Sequence, residues 1–214
     1  KLTYAREHLN EMFGKKYPKY FRPEHVHYYR EQSPDELALI NYTSGTTGNS
    51  KGVMIPYRAM WSNADFARSV LGATVKPGSH IISILPMAHM YGMAFELIFE
   101  FIAGAHVFYL TRMPSPAIIA QALAEVKPAL MIAVPLIIEK IIRKRVFPKI
   151  QTNRMKLLLN TPVIQKKVKE KICEQVMQAF GGNIYQVIIG GAALNREIEM
   201  FLKDINFPFT VGYG

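Results

Sequence analysis

Residues 42–53 read Tyr42-Thr43-Ser44-Gly45-Thr46-Thr47-Gly48-Asn49-Ser50-Lys51-Gly52-Val53. Between Tyr42 and Val53 stand only small hydroxyl residues, glycines, Asn49 and one cation, Lys51. Such a segment buries almost no apolar surface, so core packing does not explain it. It offers freely shaped backbone, many N–H groups, short hydroxyl donors and a positive charge. Those parts suit a phosphate chain: glycine lets the backbone approach closely, N–H and hydroxyl groups donate to oxygens, and lysine neutralises charge. The apolar run 37–40 before it reads as a buried strand. Residues 52–56 after it read as a short return strand, giving a hairpin around the phosphates. The Walker spacing G-x-x-x-x-G-K-[ST] is not met, because no glycine directly precedes Lys51 and no hydroxyl follows it.

Outward from the hairpin, strand and helix patterns alternate. Helices are expected over 57–71, stopped by Gly72, and over 93–102, 115–126, 136–145, 162–180 and 196–205. Strands are expected over 80–85, 105–110, 128–135, 185–189 and 207–211. This order predicts an α/β fold with mostly parallel sheet layers covered by helices. Residues 1–32 are polar and aromatic, with a helix expected over 3–13 and a loop-rich connection after it. The helix over 162–180 is amphipathic, its stripe of Ile164, Val168, Ile172, Val176 and Phe180 repeating every four residues. Its lysine face reads as a solvated surface in preference to a membrane-surface helix, because acids are mixed in and no Trp marks an interface.

Two further loops follow expected strands, where open α/β sheets bind ligands. Pro86-Met87-Ala88-His89-Met90-Tyr91-Gly92 leads into an apolar helix, and on spacing alone His89 reads first as a cap for that helix. Gly190-Gly191-Ala192-Ala193-Leu194-Asn195 leaves room for something flat, or forms a tight strand-to-helix turn, with Asn195 as the cap of the next helix.

The chain has 214 residues, 50% of them hydrophobic, enough for one large domain or the greater part of one. Its net charge of +10 suits anionic small molecules or an acidic remainder of the protein better than nucleic acid, for which no motif is present. The apolar stretch 93–110 is interrupted by Glu96, Glu100, Gly104 and His106, too broken for a transmembrane helix. The single cysteine, Cys173, excludes an internal disulfide and points to a reducing, cytoplasmic setting. His25 and His27 lack partners at metal-ligand spacing.

The 42–53 stretch resembles Y-T-S-G-T-T-G-x-P-K-G-V, the signature of the adenylate-forming superfamily of acyl-CoA synthetases, luciferases and peptide-synthetase adenylation domains. Ser50 is the one departure, standing where the family has Pro. Residues 86–92 resemble the P-L-x-H-x-x-G motif of acyl-CoA synthetases, and 189–194 resemble S-G-G-A-P-L, with Ile189 and Ala193 in place of Ser and Pro. Residues 127–141 are similar to a stretch of long-chain acyl-CoA synthetases, with Leu136 and Ile137 in place of Arg and Val. Gly212-Tyr213-Gly214 resembles the start of G-Y-G-x-T-E. On this resemblance, residues 1–32 are an N-terminal connecting segment and 33–214 the central part of an AMP-binding domain. The rest of the last motif and a C-terminal lysine-bearing domain would lie outside the chain, and the piece alone is expected to be inactive.

The resemblance implies a two-step reaction. A carboxylate attacks the α-phosphate of ATP, giving acyl-AMP and pyrophosphate, and CoA then takes the acyl group. Thr43, Ser44, Gly45, Thr46, Thr47, Gly48 and Lys51 would hold phosphates. Gly191, Ala192, Ala193, Gly212 and Tyr213 would hold adenine. His89, Met90, Tyr91, Gly92 and Gly190 would face the acyl group, with His89 and Lys51 the catalytic candidates. Mg²⁺ would bridge phosphate oxygens without a ligand from this chain. The implied partners are small molecules: ATP, a fatty acid and CoA. Alternatives are another carboxylic acid, a carrier-protein acceptor, or an inactive ATP-binding relative.

Overall fold

The computed structural model describes residues 2–25, 33–43, 50–110, 112, 114–150 and 162–212. Two compact units divide the chain, residues 1–36 and 37–214. In the first, α1 (Leu2–Glu7) and α2 (Leu9–Lys16) are separate helices where one was expected over 3–13. His8, at φ −113° and ψ 19°, falls outside helical geometry and makes the break. Phe13, Tyr17, Phe21 and His25 cluster by ring contacts beyond α2. His27 lies outside the described residues.

The second unit is organised by five parallel strands: β3 (His80–Ser83), β4 (His106–Tyr109), β5 (Leu130–Ala133), β6 (Gln186–Ile189) and β7 (Phe209–Val211). Their order in the sheet is β4-β3-β5-β6-β7. The chain leaves β3 for β4 on one side and returns to β5 on the other, so the direction of winding reverses at β3. Crevices outside the carboxyl ends of strands at such a reversal are where open α/β sheets bind ligands. β5 is buried along its whole length, matching its unbroken apolar sequence.

The connecting helices are α3 (Tyr57–Leu71), α4 (Met90–Met93), α5 (Phe99–Ala103), α6 (Pro116–Val126), α7 (Pro135–Ile141), α8 (Phe147–Ile150), α9 (Pro162–Ala179) and α10 (Arg196–Asp204). A π-helical turn, Ala94–Ile98, joins α4 to α5, and another, Ile142–Val146, joins α7 to α8. Ile172, Val176 and Phe180 of the expected stripe are buried, while Ile164 and Val168 are half-buried. Gly181 and Gly182 end α9 at φ 97° and 80°, a conformation that favours glycine. No helix among the described residues is long and apolar enough to cross a membrane.

The phosphate-loop strands form the expected hairpin, but the first of them is not buried as expected. β1 (Leu37–Thr43) pairs only with β2 (Lys51–Pro56), antiparallel, in a two-stranded ribbon apart from the main sheet. Leu37 and Ile40 are therefore exposed, at 50% and 48%, rather than buried. Ala38 and Leu39 of the same run are half-buried.

Candidate functional site

The hairpin register sets Thr43 opposite Lys51 at the end of the ribbon. Ser44, Gly45, Thr46, Thr47 and Gly48 lie outside the described residues, as does Tyr213. Asn41 ties the hairpin to the 86–92 loop, donating through Nδ2 to the carbonyl of Ala88 at 3.1 Å.

That loop is built from below. Glu96, fully buried in the π-helical turn, accepts hydrogen bonds from the Ser83 hydroxyl at 2.9 Å, the Ile84 N–H at 3.1 Å and the Leu85 N–H at 2.8 Å. These donors stand at the end of β3, where the sheet ladder stops and N–H groups need other partners. One carboxylate thus fixes the direction in which the chain leaves the strand toward His89. Burial pushes the Glu96 carboxyl up to about 7, against the downward pull of those donors. Glu100, one turn on and also fully buried, has no hydrogen-bond partner for either oxygen among the described residues. Burial, then the Glu96 charge, raise it to about 8.

His89 is both a cap and a wall residue. Its Nδ1 accepts the Tyr91 N–H at 3.2 Å, closing the N-terminus of α4. It also lines a cleft of ≈ 690 Å³ together with Tyr91, Gly190, Gly191 and Gly212. That volume suits a small-molecule site. These five residues come from the segments that follow β3, β6 and β7, at the carboxyl ends of parallel strands, Tyr91 from the first turn of α4. Backbone bonds hold the glycines to the sheet: Gly190 N–H donates to Ala133 O at 3.0 Å, and Gly212 N–H to Ile189 O at 2.8 Å. Gly191 sits at φ 82°, in the left-handed region. Glu139 on α7 accepts the Asn195 N–H at 3.0 Å, and Asn195 in turn caps α10 by accepting from Glu197 N–H at 3.0 Å, so the far end of the glycine turn is fastened as well.

Other expected site residues stand elsewhere. Gly92 is buried with its Cα turned to Pro86, where a β-carbon would come within 2.6 Å of the carbonyl oxygen, so it shapes the loop and does not face the cleft. Met90 is half-buried and Ala192 and Ala193 are exposed, none of them on the cleft wall. Lys51 is exposed at the start of β2, also off that wall. The cleft wall carries no Asp or Glu, and the described residues hold no group of three or more metal-ligating side chains. These residues offer no metal cage.

The sequence reading missed the opposite wall. Phe66, Ala67, Val70, Leu71 and Thr74 face the cleft from α3 and the turn after it, while Phe95, Ile188, Gln186 and Thr210 complete the lining. The signals were present as the i, i+4 spacing of Phe66, Val70 and Thr74 and the alternation of Gln186, Ile188 and Gly190 along β6.

The model of the AMP-binding enzyme family matches residues 3–214, and the chain belongs to that family. Among curated relatives, it is 31% identical over 201 residues to long-chain-fatty-acid–CoA ligase 4 of Saccharomyces cerevisiae, covering 85% of this chain. It is 25% identical over 197 residues to long-chain-fatty-acid–CoA ligase 2 of Schizosaccharomyces pombe, covering 84% of this chain. The chain spans 28% of the length of each of these relatives. Among solved structures, the adenylation domain of a carboxylate reductase from Mycobacterium chelonae matches with a TM-score of 0.62 at 25% identity, over 85% of this chain and 27% of that one. The N-terminal domain of FACL13 from Mycobacterium tuberculosis matches with a TM-score of 0.59 at 21% identity, over 88% of this chain and 39% of that one, a likeness of fold.

Proposed function

We propose that the protein carrying this chain is an AMP-forming acid–CoA ligase that activates a fatty acid, with long-chain acids the class that the relatives' names favour. The observation that carries this reading is the convergence of His89, Tyr91, Gly190, Gly191 and Gly212 on one cleft. They are five of the ten residues that the resemblance assigns to the acyl group and to adenine. In this reading ATP lies across the carboxyl ends of β6 and β7, its phosphates toward Lys51 and the hairpin tip. The acid's carboxylate meets the α-phosphate beside His89, and its chain runs between α3 and the sheet. The protein contributes positioning and charge neutralisation to the first step. CoA as the acceptor and a cytoplasmic setting belong to the same proposal.

Carboxylate-dependent ATP–pyrophosphate exchange by the full-length gene product tests it, with fatty acids of several lengths beside benzoate and amino acids. Exchange with fatty acids is expected. ATP binding without exchange for any acid would overturn the ligase reading in favour of an inactive nucleotide-binding relative.

A further inference from the structure

The cleft is not apolar to its end. Gln186, Ile188 and Gly190 share one face of β6, and Thr210 of β7 stands opposite Ile188 in the sheet register, on that same face. Gln186 lies four residues below Gly190, about 13 Å along the strand. The side chains change character over that distance. Tyr91 stands beside Gly190 and Phe95 beside Tyr91; Ile188 and Thr210 share the next level of the sheet, and Gln186 lies one step further down β6. The Gln186 Nε2 donates to Thr210 Oγ1 at 2.7 Å, which fixes both side chains.

We infer that the Gln186–Thr210 pair recognises an oxygen function on the chain of the activated acid, so that long-chain acids hydroxylated in mid-chain are preferred over plain hydrocarbon acids of the same length. The inference rests on the fatty-acid reading above. With one Gln186 N–H committed to Thr210, the pair still presents the Gln186 Oε1 as an acceptor and the Thr210 hydroxyl hydrogen as a donor. A hydroxyl group is donor and acceptor at once and answers both. A methylene answers neither and removes water from both, which is the means by which polar sites reject analogues lacking the matching group. A carboxylate at that point would meet the donor but face the Gln186 oxygen unmatched. Gln186 is half-buried and Thr210 is exposed, so the discrimination is that of a wet site rather than a sealed one.

The test compares kcat/KM for octadecanoate and 10-hydroxyoctadecanoate in the full-length gene product and in three variants. The hydroxy acid is expected to be favoured by about tenfold in the unaltered protein. Gln186→Leu and Thr210→Val are expected to erase the preference, and Thr210→Ser, which keeps the hydroxyl, to retain it. Should Gln186→Leu fail to fold, the two Thr210 variants carry the comparison. Equal kcat/KM for both acids, or a preference that survives Gln186→Leu and Thr210→Val, overturns the inference and leaves the ligase reading standing. Failure to activate either acid, or any other, overturns the ligase reading and the inference with it.

Discussion

A β-carbon placed on Gly190 would stand 2.9 Å from the Cζ and the hydroxyl oxygen of Tyr91. The end of β6 and the start of α4 thus approach until only a hydrogen fits between them. The Tyr91 hydroxyl reaches over this point toward the carbonyl of Ile188, 3.4 Å away. Burial, then the Glu96 charge, push its pKa up to about 12, so it stays a neutral phenol at working pH.

Gly190→Ala is therefore expected to cost about 1–3 kcal/mol by overpacking. Tyr91 must swing into the cleft to relieve the contact, so exchange activity is expected to fall further than the thermal midpoint alone explains. Paired melts and exchange assays check this, and Gly190→Ala combined with Tyr91→Ala should recover stability. A double variant no more stable than the single one would show that the Tyr91 ring is not what the methyl meets.

The two buried glutamates of the π-turned helix should respond oppositely to replacement. Glu96→Leu orphans the N–H groups of Ile84 and Leu85 and is expected to cost about 2–5 kcal/mol, with exchange activity lost as the His89 loop drifts. Glu96→Gln keeps an acceptor and should retain part of both. Glu100 accepts no hydrogen bond from the described residues, so Glu100→Leu is expected to be neutral or stabilising at pH 8. Thermal melts of the three variants decide it, and a Glu100→Leu protein as damaged as Glu96→Leu would show that Glu100 has a partner after all.

The same pair sets a pH dependence. Folding raises Glu96 from 4.5 to about 7 and Glu100 from 4.5 to about 8, burial being the main cause for each. The folded state therefore holds protons that the unfolded chain releases above pH ~4.5, and stability falls as pH rises from there toward 8. Below the unfolded value both states are protonated and the contribution levels off. Unfolding free energies measured between pH 5 and 8.5 are expected to decline by an amount on the order of a few kcal/mol, and Glu100→Leu should flatten the slope above pH 7. A slope equal to that of the unaltered chain would remove Glu100 from the account.

Much of this was legible in the sequence because the signals were local. The alternation of patterns predicts the α/β class, and Gly181-Gly182, Ser115-Pro116 and Asn195 mark helix ends with residues whose physics is local. The loops at 86–92 and 190–194 follow strands, which is what sends them to one edge of the sheet. The exposure of β1 was not legible: an apolar run looks the same whether it enters the main sheet or a two-stranded ribbon, and only its pairing decides. In the sequence Glu96 only interrupts an apolar stretch. Its value lies in backbone N–H groups a dozen residues earlier in the chain, which no local pattern reports. The α3 wall was hidden for a similar reason, since its stripe shows that Phe66 and Val70 share a face but not what they face.

His89 offers a separation of roles. Its Nδ1 caps α4 through the Tyr91 N–H, and its ring lines the cleft. His89→Ala removes both and is expected to lose about 1 kcal/mol together with exchange activity. His89→Asn places a good capping acceptor at the same position while removing the imidazole, so its melt should match the unaltered protein. If the imidazole acts on the acyl carboxylate or the forming adenylate, exchange should still fall by about tenfold or more in His89→Asn, with kcat affected more than the KM for ATP. Full exchange in His89→Asn would reduce the histidine to a helix cap and move the search for the group beside the carboxylate to the hairpin tip.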